Sequence, residues 1–64
     1  MLAENIKRFR KQKELSQDKL SKLAGVTLTT LVKMESGAND NPKIKTLQKI
    51  ADALEVTMND LLED

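Results

Sequence analysis

The chain has no cysteine, histidine, tryptophan or tyrosine, and its 64 residues include one phenylalanine, one proline and two glycines. Without cysteine no disulfide can form, and without cysteine and histidine the usual zinc ligands are missing. No apolar run approaches the ~18 residues that a membrane span needs. The start, MLAENIKRFRKQKE, lacks the apolar block of a signal peptide. We therefore expect a soluble, cytoplasmic protein that is stabilised by helix packing or by a partner.

Catalytic machinery is equally scarce. There is no histidine or cysteine to act as a base or nucleophile, no glycine-rich loop to hold a phosphate, and no carboxylate cluster with a clear cleft. The sequence therefore predicts that the protein is not an enzyme, with no catalytic residues, no metal site and no cofactor.

The net charge of +1 conceals a strong asymmetry along the chain. Residues 1–33 contain eight lysines or arginines and three acids, whereas residues 34–64 contain three lysines and seven acids. The first half thus carries a formal charge of +5 and the second half −4. This distribution suggests one face for a polyanion and another turned away from it, although solvated helices also carry such charges.

The spacing of apolar residues predicts five helices and no strands. We expect the first over roughly residues 3–13, the second over Gln17–Ala24, the third over Leu28–Ser36, a fourth that starts at Pro42, and a short fifth after Thr57. The expected N-caps are Ser16, Thr27, Asn41 and Thr57. At 64 residues the chain is expected to be a single domain, residues 1–64.

One apolar face on each helix predicts a shared core, because residues three and four apart lie on the same side of a helix. Leu15, just before the second helix, is expected to pack back against it. The positions expected to face inward on the five helices are Leu2, Ile6, Phe9, Leu20, Leu23, Ala24, Leu31, Met34, Ile44, Leu47, Ile50, Ala51, Leu54, Met58, Leu61 and Leu62.

The segment QDKLSKLAGVTLTTLVKME, residues 17–35, is the most informative part of the chain. It predicts two short helices joined by a sharp turn at Gly25, a residue that tolerates left-handed backbone angles. Ser21 is small where the two helices must cross closely. This is the geometry that places a helix in the major groove of DNA.

Over its whole length the chain resembles the phage-repressor and Cro-like helix-turn-helix family, also called the XRE family. The resemblance is carried by Ile6, Arg10, Leu15, Ser16, Gln17, Leu20, Leu23, Gly25, Val26, Leu31, Met34, Glu35, Gly37, Pro42, Leu47, Ile50, Ala51, Leu54, Val56, Leu61 and Leu62. It implies an all-α, compact five-helix repressor-like domain whose helices 2 and 3 form the helix-turn-helix.

The implied function is sequence-specific binding of double-stranded DNA by a transcriptional regulator, a repressor, acting as a homodimer. The recognition helix would be residues 28–36, lying in the major groove. Dimer contacts would involve residues 55–59, and each protomer would read one half of a pseudo-palindromic site.

The resemblance also assigns roles to individual residues. Leu28, Thr29 and Lys33 would meet base edges. The phosphate contacts would come from Gln17, Thr27, Thr30 and Asn39. Arg10 and Glu35, both at inward positions, would form a structural ion pair.

The predicted base readers are unusual because two of them offer methyl groups. Leu28 and Thr29 suit the C5-methyl group of thymine, and Lys33 is the only long polar reader, able to reach O6 or N7 of guanine. Family members often carry Gln, Arg, Ser or Asn at these positions.

A second function stays open on the sequence alone. Leu28 and Val32 can form an apolar patch for protein contact, as expected of an interaction module or an antitoxin with the same fold. Lys7, Arg8 and Lys11, on the outer side of the first helix, fit either phosphate contacts or simple solubility.

Overall fold

The computed structural model describes residues 1–64. It contains five α-helices and no strand, as predicted. The helices are α1 (Leu2–Gln12), α2 (Gln17–Ala24), α3 (Leu28–Ser36), α4 (Ile44–Leu54) and α5 (Met58–Leu62). They pack around one core, in which α1 contacts α3, α4 and α5 while α2 contacts α3 and α4.

The ends of α2 and α3 lie where their capping residues predict. The hydroxyl of Ser16 accepts a hydrogen bond from the Lys19 N–H at 3.0 Å, and that of Thr27 accepts from the Thr30 N–H at 3.2 Å. Gly25 ends α2 with φ of 71°, in the left-handed region. The turn between the two helices is therefore encoded by residues at its own boundaries.

The start of α4 differs from the prediction. Asn41 does not cap the helix and Pro42 is not its first residue: α4 begins at Ile44, with Lys43 at the N-cap and no side-chain cap. The Asn41 N–H donates instead to Oδ1 of Asn39 at 3.4 Å. Because this bond belongs to the turn, Asn41 serves the loop rather than the helix.

The core confirms most of the inward positions. The side chains with essentially no solvent exposure are Ile6, Leu20, Leu31, Met34, Ile50, Leu54 and Leu61. Ala24, Leu47 and Ala51 complete the buried cluster, and Leu2, Phe9, Leu15, Val26, Ala53, Val56 and Met58 pack against it.

Three predicted core residues lie outside, with Leu23 56%, Ile44 73% and Leu62 55% exposed. On α2 the face toward the core includes the small Ser21, which turns Leu23 outward. Ile44 is the first residue of α4, and helical side chains lean toward the N-terminus, so it projects past the helix end. In the short α5, Leu61 fills the one inward position and Leu62 lies ~100° away.

Asn5 is a buried polar residue that the sequence analysis missed. Its side-chain amide donates to the carbonyl oxygen of Leu61 at 2.8 Å and also to that of Glu63. These are carbonyls at the end of α5 that have no partner within the helix. Asn5 therefore ties α1 to the C-terminal end of α5.

Candidate nucleic-acid interface

The outward face of α3 carries all three predicted base readers. Leu31, Met34 and Glu35 are buried, which turns Thr29 and Lys33 toward solvent on the opposite side. Leu28 and Val32 flank them and are 42% and 41% exposed. The helix thus presents methyl-bearing side chains beside one lysine.

The first turn of α3 offers hydroxyl groups. Thr27 Oγ1 lies 2.8 Å from Thr30 Oγ1 and donates to it. This leaves the Thr30 O–H free to donate elsewhere, and Thr27 is exposed. Two of the four predicted phosphate contacts, Thr27 and Thr30, therefore lie at the N-terminus of α3, where the helix dipole favours an anion.

The predicted pair of Arg10 and Glu35 is present as a two-pronged ion pair. Arg10 Nε donates to Glu35 Oε2 at 2.7 Å, and Arg10 Nη2 donates to Oε1 at 2.9 Å. The side chains are 11% and 1% exposed. Arg10 Nη1 also donates to the Leu15 carbonyl at 2.8 Å. The pair fixes α3 against α1 and the α1–α2 loop.

The hydrogen bond to Glu35 raises the pKa of Arg10 above its usual value, against the opposing effect of burial. The guanidinium therefore keeps its charge, and the carboxylate has a permanent partner.

Gln17 joins the same carboxylate, a link that sequence reasoning missed. The side-chain amide of Gln17 donates to Glu35 Oε1 at 3.2 Å, and the residue is partly buried. Gln17 is the first residue of α2, so its position at that helix N-terminus is held by α3. The sequence did not indicate this bond, because a glutamine shows only that a polar side chain is present and not which residue it contacts.

Asn39 lies in the α3–α4 loop and is partly buried. Its backbone N–H donates to the Lys33 carbonyl at 3.0 Å, and its Oδ1 accepts from Asn41. The side-chain NH₂ group remains a donor, which suits a phosphate oxygen.

The outer side of α1 carries a basic surface. Lys7, Arg8 and Lys11 lie there beside Glu4 and Gln12. The Arg8 guanidinium lies 4.8 Å from the centre of the Phe9 ring, so this arginine also has a packing role.

No group of three or more acidic, histidine or cysteine side chains is placed to hold a metal ion. No helix is both long enough and apolar enough to cross a lipid bilayer.

Comparison with known proteins gives a consistent result. The sequence model of the helix-turn-helix family matches residues 6–61 of this chain. The HTH-type transcriptional regulator SinR of Bacillus subtilis (strain 168) is 34% identical over 64 residues, which are 100% of this chain and 58% of that protein. The chain thus spans little more than half the length of this curated relative.

Solved structures of SinR superpose closely. A crystal structure of SinR, the master regulator for biofilm formation, in complex with DNA has a TM-score of 0.95 and 35% identity, covering 98% of this chain and 100% of that one. The complex of the SinR and SinI proteins also has a TM-score of 0.95, at 34% identity, and covers 100% of this chain and 62% of that chain.

Proposed function

The chain belongs to the helix-turn-helix family, and from this premise we propose that it binds double-stranded DNA as a sequence-specific transcriptional regulator. Residues 1–64 act as the DNA-binding domain, α3 is the recognition helix, and the site of action is the cytoplasm. The protein has no catalytic role.

The observation that carries the proposal is the exposed face of α3. Its readers project on one side of a helix whose other side is anchored in the core and by Glu35. The same fold, at a TM-score of 0.95, is found in SinR bound to DNA. A rigid helix with one free face and a lysine on that face suits major-groove entry.

The residues divide into two groups by the chemistry they offer. Leu28, Thr29 and Lys33 meet base edges. Phosphate oxygens are contacted by Gln17, Thr27, Thr30 and Asn39, which lie at the N-termini of α2 and α3 and in the loop after α3. Phosphate contacts fix the position of the helix, and base contacts supply sequence preference.

We further propose that the protein represses transcription as a homodimer. The segment of residues 55–59 lies at the α4–α5 turn, where Thr57 and Asn59 are exposed and Met58 is partly exposed. This surface is small, so association is expected to be weak in solution and stronger on DNA.

A second candidate function is a protein-interaction module or an antitoxin. The exposed Leu28 and Val32 favour it, and SinR is found in complex with the protein SinI. The two candidates differ in what covers the α3 face.

Random-site selection from a duplex library, run beside a pull-down from the native host, separates the two functions. A DNA-binding regulator enriches a defined duplex, and its log affinity falls linearly with log salt at a slope of about −0.9 per phosphate neutralised. An interaction module instead recovers a stoichiometric protein partner and enriches no site.

A further inference from the structure

Three neighbouring side chains on α3 form a continuous surface of methyl groups, which we term the methyl ridge: Leu28, Val32 and Thr29. At ~100° per residue they occupy an arc of roughly 100° around the helix, next to Lys33. Leu28 and Val32 lie at the border of the buried face of α3 and are 42% and 41% exposed, and Thr29 lies farther round the helix and is exposed. The ridge is therefore free to meet a ligand.

The surroundings of the ridge favour DNA as that ligand. Lys33 adjoins it, and the N-terminus of α3, with its positive dipole end, lies at the Leu28 end. No acidic residue lies in the first turn of the helix. An apolar strip with positive charge on its borders matches the methyl groups of a major groove between two phosphate backbones.

The ridge has no fixed preference for a hydrogen-bond donor or acceptor. Leu28 and Val32 have neither group in their side chains, and the Thr29 hydroxyl can act as either. In the major groove thymine presents its C5-methyl beside an O4 acceptor, and cytosine presents an N4 donor in the place of that O4. Such a ridge can sense the methyl group but cannot sense which polar group adjoins it.

We propose that the methyl ridge reads the C5-methyl group of pyrimidines, so that 5-methylcytosine is recognised in the same way as thymine. The proposal rests on the proposed DNA-binding function and deepens it. It makes binding sensitive to cytosine methylation in the operator, since a methylated C·G pair gains the contact that an unmethylated pair lacks.

The size of the effect follows from burying one methyl group. About 0.8 kcal/mol per buried CH₂ corresponds to about a fourfold change in affinity. A substitution made in both halves of a symmetric site would change affinity by about 15-fold if the halves are independent.

The test uses the duplex enriched by random-site selection and measures dissociation constants by fluorescence anisotropy. Each thymine is replaced in turn by deoxyuridine, which lacks only the methyl group. At the positions where affinity falls, two further duplexes carry cytosine or 5-methylcytosine opposite guanine. We expect the thymine-to-uracil ratio and the 5-methylcytosine-to-cytosine ratio to be equal, at about fourfold each.

Protein variants link the effect to the ridge. Leu28→Ala, Val32→Ala and Thr29→Ser, made singly, each remove methyl groups of the ridge, and at least one of them should reduce both ratios together toward one. Lys33→Ala is the matched control, because it should weaken the two duplexes of each ratio by the same factor and leave both ratios unchanged. Circular dichroism melts confirm that each variant is folded.

Each outcome is decisive. Ratios near one at every thymine position, with tight binding of the parent duplex, would overturn the methyl ridge and leave DNA binding intact. Ratios that persist in all three of Leu28→Ala, Val32→Ala and Thr29→Ser would assign methyl reading to another surface and overturn the inference. If no duplex is enriched and a protein partner is recovered instead, both the inference and the proposed function fail.

Discussion

At the scale of single residues, one carboxylate organises the helices behind the α3 face. Glu35 of α3 accepts hydrogen bonds from Arg10 of α1 and from Gln17 of α2. A charge with 1% side-chain exposure is tolerated because its two oxygens are satisfied. This cluster fixes where the recognition helix lies relative to the start of α2.

We expect Arg10 and Glu35 to behave as one structural unit. Arg10→Met and Glu35→Gln should each lower the free energy of unfolding, by up to ~3–5 kcal/mol, since each leaves the other group unpaired. The double variant should lose less than the sum of the two, and urea denaturation of all four proteins measures the coupling.

The control for this double-mutant cycle is the exposed ion pair of Asp18 and Lys22, in which Lys22 Nζ lies 3.1 Å from Asp18 Oδ2. Its coupling should be only about 0.3–0.5 kcal/mol, as for other exposed i,i+4 pairs. Additivity of Arg10→Met and Glu35→Gln would show that their contact contributes nothing.

Asn5 supports a second prediction at this scale. Asn5→Leu removes the donor to the carbonyls of Leu61 in α5 and of Glu63 just after it, and should lower the free energy of unfolding by about 1–3 kcal/mol. Asn59→Ala removes an exposed amide on α5 and should change it by less than about 0.5 kcal/mol. Equal effects in thermal or urea denaturation would mean that the Asn5 bonds do not stabilise the end of α5.

At the scale of the elements, the helices with two strong end signals were those predicted best. α2 and α3 have Ser16 and Thr27 at one end and Gly25 and Gly37 at the other, and the predicted and observed bounds agree. α1 differs by one residue at each end, starting at Leu2 and ending at Gln12.

The α4 boundary could not be read from local rules. Asn41 followed by Pro42 satisfies the rule for a helix start, yet the Asn41 N–H is bound within the turn and the helix starts at Ile44. The observed start has no such signal, because Lys43 at the N-cap makes no side-chain bond to the helix. The position of Leu23 could not be read from helical spacing alone either, since the small Ser21 takes the inward position.

Because Lys43 occupies the α4 N-cap without a side-chain bond, its replacement should stabilise the protein. Lys43→Ser supplies a hydroxyl for the free N–H groups and removes a positive charge there, adding about 0.5–1 kcal/mol to the free energy of unfolding. Ser16→Ala should subtract about 1 kcal/mol.

Asn41→Ala distinguishes the two possible starts of α4. It should change the melting temperature little, because Asn41 caps no helix. A loss as large as that of Ser16→Ala would place the cap at Asn41 after all.

At the scale of the whole molecule, the domain is too small for one copy to contact a long stretch of the DNA that it is proposed to bind. Its principal extents are 24 × 21 × 19 Å, and α3, the helix proposed to enter the groove, has nine residues. Its readers include no arginine or glutamine able to make paired bonds to a base. Discrimination by one copy would be weak, which favours two copies on one site.

We therefore expect two protomers per selected site, related by a two-fold axis, with their α3 helices about 34 Å apart. Native mass spectrometry or analytical ultracentrifugation of the complex gives the stoichiometry. One protomer on a non-palindromic site would exclude the homodimer while leaving DNA binding in place.

The sequence predicted some parts of the candidate site and not others. The Arg10–Glu35 pair was implied by the family resemblance and is confirmed by the geometry. The roles of Leu28, Thr29 and Lys33 stay predictions, since side chains that face solvent have no partner within the chain to define them. The sequence did not predict the side-chain hydrogen bonds of Gln17 and Asn5. Their acceptors are oxygens of residues far away along the chain, which only the fold brings close.

The affinities of two matched charge reversals for the selected duplex test most directly whether α3 is the DNA-binding surface. Lys33 and Lys49 are both exposed, on α3 and on α4. Lys33→Glu should weaken binding at least about tenfold, because it removes a base contact and adds repulsion. Lys49→Glu, in the acidic half, should weaken it less than about twofold. Equal losses from the two reversals would contradict the assignment of α3.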